Sequence, residues 1–307
     1  FADDLEQKIT VAEIDTNRGT IRLKRGTKMQ APPDRLSLIK DEFVDAKVIA
    51  QSIFRTVQKY SRGEPLPSAL NDFLLRSSPR VNGSSGALIR AGENLTDGTT
   101  RVIQNLQNST LCIQGPPGAG KTYTASKAIC ALIRDGKKVG VTSNSHKAIA
   151  HLMDKVAEEA AKEHLSLRGF KLQSKDEDYH VQSSAIAARK PGDFFKNEAN
   201  SNGFNLVCGT AWAFSNPDAE DLVDYLFVDE AGQVSIANLV GMAPSAKNLV
   251  LIGDQMQLSQ PIQGSHPGDS GKSLLEYLLQ DQQVVPDYFG IFLGKPWRML
   301  QDVCSVI

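Results

Sequence analysis

The stretch "TLCIQGPPGAGKTYTASKAICALIRDG", residues 110–136, decides the fold. It opens on a short apolar run, Leu111 to Ile113, passes through a glycine- and proline-rich loop, and continues into a helical pattern that ends at Gly136. The loop, Gly115, Pro116, Pro117, Gly118, Ala119, Gly120, Lys121 and Thr122, matches GxxxxGK[ST] in the strand, loop, helix context that this motif requires. Its glycines let backbone N–H groups face phosphate oxygens, and the following helix adds the positive end of its dipole. Lys121 is expected to reach the β and γ phosphates of a bound nucleotide, and Thr122 to ligate Mg²⁺.

Downstream, "DYLFVDEAGQVS" (224–235) runs an apolar strand into two adjacent carboxylates. Neighbouring negative charges repel unless something positive lies close by. A phosphate loop supplies the reason: Asp229, at the C-terminal edge of the sheet, would face the Mg²⁺ held by Thr122. Glu230 is then placed to accept a proton from the water that attacks the γ-phosphate. A third strand, in "LIGDQMQLSQP" (251–261), ends in Gly-Asp and puts Gln257 where an uncharged amide can sense the γ-phosphate.

Working outward, six apolar segments alternate with helices after about Asn94: "TLCIQ", "KVGVTS", "FNLVCGT", "YLFVDE", "KNLVLIGD" and "YFGIFLG". That alternation predicts an α/β fold, a parallel sheet with crossover helices. Between His164 and Gly203 the pattern lapses, which reads as an inserted or mobile segment. Ahead of the sheet, "KITVAEIDTNRGTIRLKRG" predicts a hairpin, and apolar residues from Val44 to Tyr60 recur at helical steps within 41–62. A second short helix is expected at 68–76 and a Ser/Gly/Pro-rich linker at 77–92. The boundaries drawn are a β module at 1–40, helices and linker at 41–93, and a phosphate-loop domain at 94–307.

The 307 residues carry a net charge of −1, with 41% hydrophobic and 22% charged residues. These are ordinary globular values, so any nucleic-acid contact must be a local groove rather than a basic surface. Cys112, Cys130, Cys208 and Cys304 lack metal-type spacing and read as reduced thiols of a cytoplasmic protein. His146 and His151 are five apart, which does not suit a helical metal pair. No apolar run is long enough to predict a membrane span. The chain starts at Phe1 and stops at Ile307 within a helical pattern, so both ends read as cut from something longer.

Taken in order, these motifs resemble superfamily 1 helicases of the Upf-like group over roughly 95–307. "GPPGAGKT", "VDEAGQ" and "GDQMQL" are similar to their motifs I, II and III, "VTSNSHKAI" (141–149) to motif Ia, and "VCGTA" (207–211) to a strand-end threonine motif. "FLGKPWRML" (292–300) resembles a segment whose arginine, Arg298 here, reaches the γ-phosphate. The resemblance extends to bacterial proteins with a RecB-like nuclease fused ahead of the helicase. It implies that the helices at 41–93 are stalk-like and that 94–307 is an ATPase domain of RecA-like P-loop fold, with ATP and Mg²⁺ as cofactors and a second RecA-like domain of the same parent chain that supplies an arginine finger. The implied partner is single-stranded nucleic acid, DNA before RNA, held by Ser143, Asn144, Ser145, His146, Lys147 and Thr210. Two departures stand out. Gly98 occupies the place of the adenine-reading glutamine, and "RMLQD" replaces RMHPD. The competing reading is a nucleotide-dependent switch or small-substrate P-loop enzyme that binds phosphates in the same way and engages no polymer.

Overall fold

The computed structural model describes residues 10–16, 18–24, 45–83, 86–173, 179–201, 203–257 and 267–294. The chain divides into two compact units, residues 1–45 and 46–307. In the first, β1 (Thr10–Asp15) and β2 (Thr20–Lys24) form the expected antiparallel hairpin, closed at Asp15 opposite Thr20 with Gly19 in the left-handed conformation. A bulge between Val11 and Glu13 explains why the apolar residues of β1 depart from strict alternation.

The second unit opens with α1 (Lys47–Ser61) and α2 (Ser68–Leu74). There follow α3 (Leu95–Gln104), β3 (Thr110–Gln114), α4 (Lys121–Arg134), β4 (Val139–Thr142) and α5 (His146–Lys162). The middle of the unit holds β5 (Gly169–Leu172), β6 (Ile186–Arg189), α6 (Pro191–Asn197), β7 (Leu206–Cys208) and α7 (Ala211–Phe214). It closes with β8 (Val223–Val228), α8 (Ile236–Met242), β9 (Ala246–Gly253), α9 (Leu274–Leu279) and β10 (Gly290–Phe292).

The eight strands of this unit form one sheet in the order β10-β3-β9-β8-β4-β7-β5-β6. Every neighbouring pair is parallel. All six strands read from the sequence are present, and β9 lies between the phosphate-loop strand β3 and the acid strand β8, the RecA-like arrangement. Successive side chains of a strand face opposite sides of a sheet, and the core obeys this rule. Leu226, Val228, Leu249 and Leu251 point into one apolar layer with α1, α2, α8 and α9. Tyr225, Phe227, Val250 and Ile252 point into the other with α3, α4 and α5. Strands buried on both faces are what a parallel sheet between two helical layers produces.

Two expectations are corrected. The segment 164–203, read as inserted or mobile, holds regular structure among its described residues. It adds β5 and β6 to the sheet's edge and α6 beyond them, with Phe194 packed against Phe170, Phe195 and Phe204. Nor is 77–92 a free linker, because Arg80 bonds the buried Asp72 at 2.6 Å and the Asn108 carbonyl at 2.6 Å. Val81 bridges Leu106, and the buried Leu88 receives its backbone acceptor from Asp287. The first helix begins at Lys47, six residues after the start read from the sequence. Cys112, Cys130 and Cys208 are free and buried; Cys304, like Trp297, lies outside the described residues. Trp212 packs against the core from a half-buried position. No helix among the described residues is long and apolar enough to cross a membrane.

Candidate functional site

Parallel strands deliver their C-terminal ends to one edge of the sheet. Here β3 delivers the phosphate loop, β8 delivers Asp229 and Glu230, β9 delivers Asp254 and Gln257, and β4 delivers Ser143 to Lys147. The loop turns through Gly118 (φ +79°) and Gly120 (φ +83°), conformations that a side chain would resist, before α4 begins at Lys121. Gly115 N–H donates to the Gly253 carbonyl at 3.0 Å, which ties the loop to the neighbouring strand. Lys121 Nζ donates to the carbonyls of Gly115 and Pro116 at 2.7 and 2.9 Å. Burial pulls its pKa down, while Asp254, Asp229 and Glu230 work against that shift. The ammonium therefore lies in the field of three carboxylates and can serve phosphates from the same position.

The acid pair occupies two different environments. Asp229 has lost most of its water, and burial pushes its carboxyl up to about 6 against the N–H of Glu230, which it accepts at 3.0 Å. Glu230 has φ +55°, an unusual conformation for a residue with a side chain, and its carboxylate accepts a hydrogen bond from the Ser143 hydroxyl at 3.1 Å. The turn after the acids packs backbone on backbone. Ala231 N–H donates to the Ile252 carbonyl, and a Cβ on Gly232 would lie 2.2 Å from the Asp254 carbonyl oxygen. Gln233 then reaches Gln257, Nε2 to Oε1, at 3.4 Å. Glu230 and Gln257 are thus joined through a single short loop.

The residues read as a polymer contact divide in two. Ser143 is buried and faces Glu230, and Asn144 donates to the Gln233 carbonyl at 2.6 Å, so both side chains are turned toward the acid loop. Ser145 caps α5 by accepting from Ala148 N–H, and His146 begins that helix. Lys147 is exposed, and Thr210 sits half-exposed at the N-cap of α7 with no side-chain capping bond. Arg298 lies outside the described residues.

Beside the phosphate loop, on the side away from the acids, a cavity of about 500 Å³ is lined by Asn94, Leu95, Thr96, Tyr123, Leu293 and the loop itself. Sequence reasoning missed this lining, and it also missed Asp254, which is buried at the strand end beside Lys121. "GEN" before a helix signals only an N-cap, and the cavity exists because α3 is folded against α4. Gly98 is not in the lining. It is buried within α3, where a Cβ would approach Glu93 Oε2 to 2.8 Å. Glu93 is itself fixed by Arg101, whose hydrogen bonds hold its carboxyl down at about 2.

The residues fit a magnesium nucleotide. Among the described residues no group of three or more His, Cys, Asp and Glu could hold a metal alone. Mg²⁺ keeps most of its shell as water and phosphate oxygens and asks little of the protein. The Thr122 hydroxyl and the half-buried Asp229 carboxylate would meet that need.

A glycine-rich loop at a helix start, an acid-ended strand two places away and a third strand between them define a P-loop nucleotide-binding domain. Residues 99–262, more than half of the chain, match the family model AAA_19, described as an AAA domain, and the chain belongs to this family. It is 31% identical over 210 residues to the chicken (Gallus gallus) DNA replication ATP-dependent helicase/nuclease DNA2, covering 63% of this chain and 19% of that protein. It is 26% identical over 165 residues to the Arabidopsis thaliana DNA replication ATP-dependent helicase/nuclease JHS1, covering 53% of this chain and 12% of that one. The chain thus spans about a fifth or less of the length of these relatives. Among solved structures, it is similar to the arterivirus nonstructural protein 10 helicase, with a TM-score of 0.38 and 17% identity over 70% of this chain and 40% of that one.

Proposed function

We propose that this chain is the first motor domain of an ATP-driven helicase or translocase that moves on single-stranded DNA. The observation that carries the proposal is convergence on one sheet edge: the phosphate loop, Asp229, Glu230 and Gln257 meet there, and Lys147 and Thr210 end on the same edge. Lys121 and the loop amides bind the phosphates of ATP, and Thr122 with Asp229 would hold Mg²⁺, which would supply positive charge beside the phosphates when bound. Glu230 accepts the proton of the attacking water, its carboxylate aimed by Ser143. Gln257 senses the γ-phosphate and is joined to the acid loop through Gln233. Arg298, and an arginine from a second RecA-like domain of the parent chain, complete the charge around that phosphate.

Single-stranded DNA would lie across Lys147, Thr210 and the backbone amides at the start of α5, gripped through its phosphates and without base reading. Ser143 and Asn144, bonded to the acid loop, then link that grip to the catalytic carboxylate. DNA is favoured over RNA because the relatives carry DNA replication in their names, and those names also support a nuclease module in the parent protein. Such a protein works inside the cell, where buried free thiols stay reduced.

The test is binding of fluorescent single-stranded DNA followed by anisotropy across a salt series. Lys147→Ala with Thr210→Ala is expected to weaken binding and to lower the salt slope by about one unit. An unchanged affinity and slope would favour the nucleotide-switch reading.

A further inference from the structure

The two sides of the phosphate loop differ in chemistry, and the difference orients a nucleotide. Lys121 lies toward Asp254, Asp229 and Glu230, so the terminal phosphate and its cation belong on that side. The nucleoside must then trail the opposite way, into the cavity bounded by Asn94, Leu95, Thr96, Tyr123 and Leu293.

Which base this cavity accepts depends on the hydrogen-bonding groups left free to meet it. Adenine presents a donor at its 6-amino group, guanine an acceptor at O6, and both present an acceptor at N7. Asn94 Oδ1 is already committed, since it caps α3 by accepting from Thr96 N–H at 2.9 Å and from Asp97 N–H at 3.2 Å. Its Nδ2 remains as a donor. The Thr96 hydroxyl can donate or accept, and the exposed Tyr123 ring offers a face to any base. Among the described residues no carboxylate lines this cavity; Asp97 lines the adjoining groove with Lys127 and Arg134. The interior of α3 offers nothing more, because Gly98 lacks a side chain and Glu93 fills the space where one would stand.

We infer that the site takes purine nucleoside triphosphates without separating adenine from guanine, so that GTP is a substrate alongside ATP. The inference rests on the nucleotide site proposed above. The Asn94 amide meets N7, which both purines share, and the Thr96 hydroxyl turns to suit whichever group stands at position 6. A site built with a committed acceptor for the amino group would reject guanine by about 10⁴ or more. One whose groups adapt should differ by about tenfold or less, the worth of one net hydrogen bond.

The experiment is displacement of mant-ADP from the 307-residue chain, with Mg²⁺ present, by ADP and by GDP. Inhibition constants within about tenfold of each other are expected. GDP weaker than ADP by a hundredfold or more would overturn the inference and leave the nucleotide site standing. Mant-ADP held equally well by Lys121→Ala would overturn the nucleotide site itself. Asn94→Asp supplies an independent readout, because aspartate caps the helix as well as asparagine but presents an acceptor in place of the donor. In that variant an acceptor faces N7 of either purine, so ADP and GDP should both bind several-fold more weakly, up to about tenfold, with their ratio nearly unchanged. Unchanged inhibition constants for both nucleotides would mean that Asn94 does not read the base.

Discussion

At the acid end of the proposed nucleotide site backbone packs on backbone; at the end proposed for the nucleoside, side chains border open space. Gly232 and Gly253 face each other so closely that a Cβ on Gly253 would sit 2.8 Å from Gly232 N. Asn94 and Tyr123, by contrast, are exposed. The contrast follows the chemistry assigned to each end. Breaking a phosphoanhydride bond needs charges held where charge develops, and fixed backbone achieves that without reorganisation. Holding a base needs only contact.

The largest expected effect lies in the acid loop. Glu230→Gln should lower ATP turnover by about 10³, the range of a lost general base, with nucleotide affinity by calorimetry nearly unchanged. A matching loss of affinity would mean that Glu230 holds the nucleotide rather than the water.

Next in size is a direct comparison of the two ends by urea unfolding. Gly232→Ala forces a methyl group against the Asp254 carbonyl and should cost about 3 kcal/mol. Asn94→Ala removes a cap and should cost about 1 kcal/mol. Equal losses would erase the distinction between a rigid and a permissive end.

A pH dependence smaller than the Gly232→Ala loss also separates the ends. Asp229 titrates near 6 in the folded chain and near 3.8 when unfolded. Between those values the folded state keeps a proton that the unfolded state has released, so stability must fall as pH rises through the window. The loss should be about 2 kcal/mol, below what the full shift would give, because the carboxyl retains some contact with water. Asp229→Asn should flatten the slope between pH 4 and 6.5 in thermal melts, whereas Asn94→Ala should leave it intact.

What the sequence revealed follows the same division. The phosphate loop and the acid pair were legible because their chemistry needs particular residue types at fixed spacing, and long apolar strands such as Ala246–Gly253 announce themselves. The edge strands did not: Ile186–Arg189 buries one residue in four, too little for a period to register. Residues 77–92 look like a linker by composition, and only the fold brings Arg80 to Asp72. Ser143 reads as a polar strand end open to a ligand. Its hydroxyl turns inward because β4 pairs with β8, Thr142 beside Val228, which sets the next residue against the acids. The cavity at Asn94 had no signal of its own, since it is made by two helices meeting.

The buried cysteines give this molecule a built-in clock. Cys112 lies in the strand that carries the phosphate loop, Cys130 in the helix that follows it, and Cys208 in a strand toward the far edge. Burial raises each thiol to about 12, so almost no thiolate is present at neutral pH and a thiol reagent finds nothing to attack. Labelling can proceed only while a segment is open, and its pace then counts the openings. In a Cys304→Ser background, mass spectrometry of the three peptides would time the breathing of the loop strand, its helix and the outer sheet separately. No cysteine need be introduced, and a nucleotide that quiets the first two while sparing the third would show how far its grip travels through the sheet.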